Sequence, residues 1–216
     1  MLIIFDCDGV LVDSEIIANR VLAAHLSRFG YPVTAAESRA QFLGRTIPGV
    51  IKMVQDAGVE LPEDFEATLR ARDVEAFKND LKPVPGIAET LIHLEDIEKC
   101  VASSGSPDKI KSNLQTTGLI QHFDGRMFSA VDVDKPKPAP DLFFLAAARM
   151  NVAPSACVVI EDTALGIEAA KRAGMRAIAY IGASHRSPAD AGPLRKAGAD
   201  IVIDDMTQLP SALKSA

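Results

Sequence analysis

A doubly wound α/β layer structure, interrupted by a block of helices, is the fold class that this 216-residue sequence predicts. Two patterns point there. Short, nearly continuous apolar runs alternate with longer stretches of helical period, as parallel strands buried on both faces do. One interval between runs, residues 14–79, shows helical period only and is too long for an ordinary strand-to-helix connection. With 48% of its residues apolar, the chain can also bury a sizeable core.

In chain order, the expected strands are 2–5, 99–102, 127–130, 157–160, 177–181 and 201–203, several of them rich in β-branched residues. Between them, Ser106-Pro107 opens a helix over 108–117, because a serine cap followed by proline is a helix start. A Pro-rich stretch leads into a helix over 141–150, and a third helix, 163–173, stops at Gly174. Phe143, Phe144 and Leu145 are expected in the core. In the inserted block, Ile17, Val21, Leu22, Leu26 and Phe29 share one helical face, and 50–54 and 65–77 continue the period. Gly30-Tyr31-Pro32, Gly44, Pro48, Gly58 and Pro62 cut it into about four helices. The crossings fall near 12–14 and at Lys82-Pro83-Val84-Pro85-Gly86. The expected division is a Rossmann-like core of residues 1–13 and 83–216 and a helical domain of residues 14–82.

Composition excludes several roles. Twenty-three basic residues stand against 29 acidic ones, a net charge of −6, so no nucleic acid or anionic membrane partner is expected. No run of 18 apolar residues is present and the start lacks a basic n-region, so neither a membrane span nor a signal peptide is expected. Cys7, Cys100 and Cys157 are an odd number of widely spaced cysteines. Buried, reduced thiols in a cytoplasmic protein follow.

In an open parallel sheet, ligands bind beyond the carboxyl ends of the strands. Those ends deliver Asp6 and Asp8, then Ser103 and Ser104, then Glu161 and Asp162. Asp204 and Asp205 follow the last strand and are read as a solvated strand end. Four acids at one edge repel one another unless a cation lies among them. Oxygen-only ligands, with no His/Cys cluster, point to a hard ion, Mg²⁺.

The segment Asp6-Cys-Asp8-Gly9-Val10-Leu11-Val12-Asp13-Ser14 resembles the first motif of the haloacid dehalogenase superfamily, in its phosphatase and phosphomutase branch. Val101-Ala-Ser103-Ser104-Gly105, Lys137-Pro-Ala-Pro-Asp141 and Val159-Ile-Glu161-Asp162-Thr163-Ala-Leu-Gly166-Ile167 resemble the other three, in the family's order. The helical insert resembles that branch's cap domain. The resemblance implies a phosphatase in which Asp6 attacks phosphorus and Asp8 protonates the leaving oxygen, then activates water. It implies that Ser103 and Lys137 hold phosphoryl oxygens, Ser104 contributes its backbone amide, and Asp6, the Asp8 carbonyl, Glu161 and Asp162 bind Mg²⁺. The Asp8 role requires a raised carboxyl pKa, expected from neighbouring carboxylates. Lys135-Pro-Lys137-Pro holds two candidate lysines, and Lys137 is the one followed directly by Asp and a helix.

Substrate choice in this branch resides in the cap. Gly44-Arg45-Thr46 resembles its specificity loop, with Arg45 either gripping an anionic or polyhydroxyl leaving group or lying at the surface. Asn19 is a weaker candidate. His185, after a core strand, is another weaker candidate and is expected to face solvent. β-Phosphoglucomutases carry a histidine and an arginine where this chain has Ala18 and Ile47. The resemblance thus implies a Mg²⁺-dependent phosphatase for a small phosphorylated metabolite, a sugar or sugar-acid phosphate, acting as a monomer or weak dimer. The alternatives are a β-phosphoglucomutase-like phosphotransferase and a non-catalytic phosphosugar-binding regulator.

Overall fold

In the computed structural model, which describes residues 1–42, 45–123 and 125–215, the chain forms two compact units. They comprise residues 1–13 with 82–216, and residues 14–81. From the N-terminus, β1 (Leu2–Phe5) is followed by α1 (Glu15–Arg28), α2 (Ala35–Phe42), α3 (Ile47–Asp56) and α4 (Phe65–Asp80). Then come α5 (Ile87–His93), β2 (Glu98–Ser103), α6 (Pro107–Thr116), β3 (Met127–Ser129), α7 (Asp141–Arg149) and β4 (Cys157–Glu161). The chain closes with α8 (Ala164–Arg172), β5 (Arg176–Tyr180), α9 (Ala191–Lys196), β6 (Ile201–Ile203) and α10 (Leu209–Lys214).

In the first unit, the six strands form one parallel sheet in the order β3-β2-β1-β4-β5-β6. The chain winds outward from β1 to β3, then returns to the other side of β1 as β4. That reversal makes β1/β4 a topological switch point. Side chains alternate across the sheet. Leu2, Ile4, Cys100, Ala102, Cys157, Val159, Ala177 and Ala179 join Leu142, Phe143 and Ala146 of α7 and Ile167 and Ala170 of α8 in one core. The intervening Ile3, Phe5, Val101, Ile160 and Ile178 are equally buried on the other face. Both faces being covered is why the strands read as unbroken apolar runs. The segments that leave and re-enter the sheet are paired: Asp13 N–H donates to the Lys82 carbonyl (3.0 Å) and Val84 N–H to the Leu11 carbonyl (3.0 Å).

Local chemistry explains the helix starts. Ser106 accepts from Lys109 N–H ahead of Pro107, and Thr163 accepts from Gly166 N–H (3.1 Å), each satisfying an otherwise orphaned amide. One expectation needs correction. Phe143 is buried, but Phe144 is 44% exposed, because successive helix residues point about 100° apart and the face toward the sheet is taken by Leu142, Phe143 and Ala146.

In the second unit, Leu22, Leu26, Phe42, Val50, Val54, Phe65 and Leu69 form a core of their own. His25 lies buried beside the Phe29 and Phe65 rings. Cys7, Cys100 and Cys157 are buried and unbridged. Among the described residues, no helix is long and apolar enough to cross a membrane.

Candidate active site

Neighbouring strands of a sheet lie about 4.8 Å apart, so residues leaving adjacent strand ends are brought close without any loop contribution. Asp6 follows β1, its N–H still donating to the Ile160 carbonyl of β4 (2.9 Å). Glu161 ends β4 and Asp162 comes next. All three acids are buried, and an oxygen from each lies within 4.8 Å of the others.

Lys137 enters this cluster from the loop before α7. Its Nζ donates to Asp6 Oδ1 (2.8 Å), Glu161 Oε2 (2.7 Å) and the Ala102 carbonyl (3.4 Å). Burial alone would lower the Lys137 pKa, but the Asp6 and Glu161 carboxylates override it and hold the ammonium above its ordinary range. Burial raises the Asp6 carboxyl well above the usual value. Lys137 opposes that rise, and Glu161 and Asp162 add to it. Two cations face the three buried carboxylates, Lys137 on Asp6 and Glu161 and Arg186 on Asp162, so one negative charge is left over.

The donor set fits a hard divalent cation. Every ligand is an oxygen, and Asp162 Oδ1 is buried with no hydrogen-bond partner. Glu161 is itself held in place: its Oε1 accepts from Thr163 N–H (3.1 Å), Thr163 Oγ1 (2.8 Å) and Asp162 N–H (3.2 Å). Gly166 leaves it room, since a Cβ there would stand 2.0 Å from the Glu161 carboxyl.

The other candidates fall as follows. Ser103 is buried at the end of β2, its Oγ accepting from Gly105 N–H (3.2 Å), while Ser104 is exposed. The Asp8 carboxylate, expected among other carboxylates, lies against donors from α6. Lys109 Nζ donates to its Oδ2 (2.7 Å), and Asn113 Nδ2 approaches Oδ1 at 3.5 Å. Sequence reasoning missed both partners. They lie one turn apart on α6, an i,i+4 spacing that puts them on one helical face. The Cys7 thiol between the two aspartates is pushed well up by burial and then by Asp8 and Asp6, so it stays protonated and unreactive. Asp204 and Asp205 are exposed.

His185 is a correction. It does not face solvent but is 2% exposed, with Nε2 3.0 Å from Asp162 Oδ2, because the loop after β5 folds over that residue. Arg186, which nothing in the sequence marked, donates to the same oxygen through Nε (3.2 Å) and Nη2 (3.0 Å).

Asn19 and Arg45 belong to the helical unit. They line a cavity of about 170 Å³ there, together with Glu15, Ala18, Ile47 and Asp73. Asn19 is buried and its Nδ2 donates to the Glu15 carbonyl (2.9 Å), while the exposed Arg45 donates from Nε to the Gln41 carbonyl (3.2 Å). Gly44 lies outside the described residues.

The chain matches the family model of haloacid dehalogenase-like hydrolases over residues 3–180. It is similar to the 6-phosphogluconate phosphatase of Escherichia coli, at 30% identity over 86% of this chain and 85% of that one. It is also similar to the phosphorylated carbohydrates phosphatase of Thermotoga maritima, at 31% identity over 82% of each. A haloacid dehalogenase-like protein from Agrobacterium tumefaciens superposes with a TM-score of 0.89, at 37% identity over 99% of this chain and 97% of that one. Motif order, the β1/β4 cluster and these matches agree: the chain belongs to the haloacid dehalogenase-like hydrolases, in their phosphatase branch.

Proposed function

We propose that this hydrolase is a Mg²⁺-dependent phosphatase that releases phosphate from a sugar phosphate or sugar-acid phosphate through an aspartyl-phosphate on Asp6. The observation that carries the reading is the buried convergence of Asp6, Glu161, Asp162 and Lys137 at the switch point of a parallel sheet. The relatives' substrates, 6-phosphogluconate and phosphorylated carbohydrates, support the substrate class.

Asp6, Glu161, Asp162 and the Asp8 carbonyl would hold the Mg²⁺, which neutralises charge between the carboxylates and the phosphoryl oxygens. A carboxylate oxygen of Asp6 forms the new bond to phosphorus as the ester P–O bond breaks. Asp8 gives its proton to the departing oxygen, then takes one from the water that hydrolyses the aspartyl-phosphate. Lys137 and the Ser103 hydroxyl offer donors to the phosphoryl oxygens, in a buried site where such contacts count for more than in water. Lys109 and Asn113 hold the Asp8 side chain in place. Cys7, raised and shielded, cannot compete as the nucleophile.

The helical unit is read as the cap, with Asn19 and Arg45 recognising the leaving group. Ala18 and Ile47 line its cavity in place of the mutase's histidine and arginine, which favours hydrolysis over phosphotransfer. The three unbridged, buried cysteines support a reducing, cytoplasmic setting. Incubation with a panel of phosphosugars tests the reading. Steady phosphate release is the expected result, whereas isomerisation without release, or no turnover, overturns it in favour of the mutase or the regulator.

A further inference from the structure

Asp162 is held unevenly. Its Oδ2 receives three donors, His185 Nε2, Arg186 Nε and Arg186 Nη2, while Oδ1, equally buried, has none. A carboxylate only accepts, so His185 must carry its proton on Nε2. The donors come from the loop after β5, a different element from the one that bears Asp162. That loop is braced in turn: Arg186 N–H donates to the Ala183 carbonyl (2.9 Å), and Ser187 caps against Asp190 through its N–H (2.8 Å) and hydroxyl (3.0 Å). The loop after β1 also passes close by. Gly9 adopts φ 81°, and a Cβ there would lie 2.4 Å from Asp162 Oδ2 and 3.0 Å from His185 Cε1. Only glycine fits both the left-handed backbone and the space.

Rotation of the Asp162 carboxyl about its Cβ–Cγ bond would exchange the two oxygens, and the three donors oppose it. We propose that His185 is a positioning residue for the divalent cation. With Arg186 it pins Asp162 Oδ2 and so keeps Oδ1 turned toward the site formed with Asp6 and Glu161. The inference rests on the cation reading of the preceding section. Partners of this kind behind a metal ligand hold it in the coordinating orientation, and losing one commonly weakens metal affinity by about 10–100-fold. His185 is the member to probe because replacing it with a neutral amide leaves the Arg186 charge in place.

Two amide variants separate positioning from packing. The glutamine amide nitrogen reaches about as far as Nε2, whereas that of asparagine stops near the place of Nδ1. Mn²⁺ binding is measured directly by electron paramagnetic resonance, without substrate, on the parent chain and on His185→Gln and His185→Asn. The expected result is binding within roughly threefold of the parent for His185→Gln, and weaker by about 10–100-fold for His185→Asn, with both folded by near-ultraviolet circular dichroism. Parent-like binding by His185→Asn overturns the role, as does equal weakening in both variants. If the parent itself binds no Mn²⁺, the cation reading fails and the role of His185 falls with it.

Discussion

Replacing Lys137 with methionine removes one buried ammonium and strands two buried carboxylates. The side chains of Lys137, Asp6 and Glu161 are 7%, 9% and 1% exposed, so water cannot take over the lost contacts at 2.8 and 2.7 Å. Breaking a buried pair from one side generally costs about 3–5 kcal/mol. Protonation sets an independent ceiling, because the cluster regains the one positive charge it has lost by taking up a single proton on either carboxylate. Protonating a group of reference pKa about 3.9 at pH 7 costs roughly 4 kcal/mol, at about 1.36 kcal/mol per unit. The two figures agree, and a loss of that size is a large part of a typical domain's stability. For a chain of this length, it lowers the melting temperature by roughly 8–16 °C.

The same reasoning fixes the sign with pH. The stranded carboxyl has a raised folded-state pKa, so the penalty grows as pH rises above its unfolded value and shrinks as pH falls toward it. Near pH 5 the ceiling is only about 1.5 kcal/mol. Thermal unfolding followed by circular dichroism in a chelating buffer, parent against Lys137→Met, measures both quantities. A variant that melts with the parent at neutral pH, or a gap that is unchanged on acidification, refutes the claim that Lys137 neutralises this cluster.

Asp6→Asn is expected to stay folded and to retain less than about 1% of parental phosphate release, since two decades of rate correspond to about 2.7 kcal/mol of barrier. Activity surviving above that level removes Asp6 as nucleophile. EDTA is expected to silence turnover and added Mg²⁺ to restore it; a rate that ignores the chelator contradicts the cation reading. His25 supplies a test in the helical unit. Its Nε2 faces the Phe65 carbonyl (3.2 Å) and the Thr68 hydroxyl (3.1 Å), while Nδ1 is buried without a partner. Burial lowers its pKa, the Phe65 carbonyl opposing, Arg28 adding to the fall and Asp64 resisting it. The unfolded chain therefore takes up the proton first, and stability contributed by His25 is lost as pH falls below about 6.5. His25→Gln should flatten the acid side of the melting profile, and an unchanged slope excludes the histidine as its source.

The core strands and the candidate site's inner residues are legible in the sequence because both obey local rules. The run Leu2–Phe5 is apolar at every position since both sheet faces are covered, and the first polar residue after it, Asp6, marks the carboxyl end. The same rule places Ser103 after Val101-Ala102 and Glu161-Asp162 after Val159-Ile160. Four motifs in order make the family readable as well. Helix α5, which follows the Pro-rich crossing, escaped because its seven residues are too few to establish a period.

What the tertiary structure decides is which side chain answers which. Lys109 lies 101 residues from Asp8, and His185 and Arg186 lie 23 and 24 residues from Asp162. Nothing in the local pattern ties these partners together, since a histidine in a polar loop is ordinarily solvated. The parallel crossovers bring them into contact by stacking distant loops over adjacent strand ends. Periodicity reports the face on which a residue is buried. The orientation of Asp162, with one oxygen saturated and the other left bare, depends on contacts among three separate chain segments, and only folding brings those segments together.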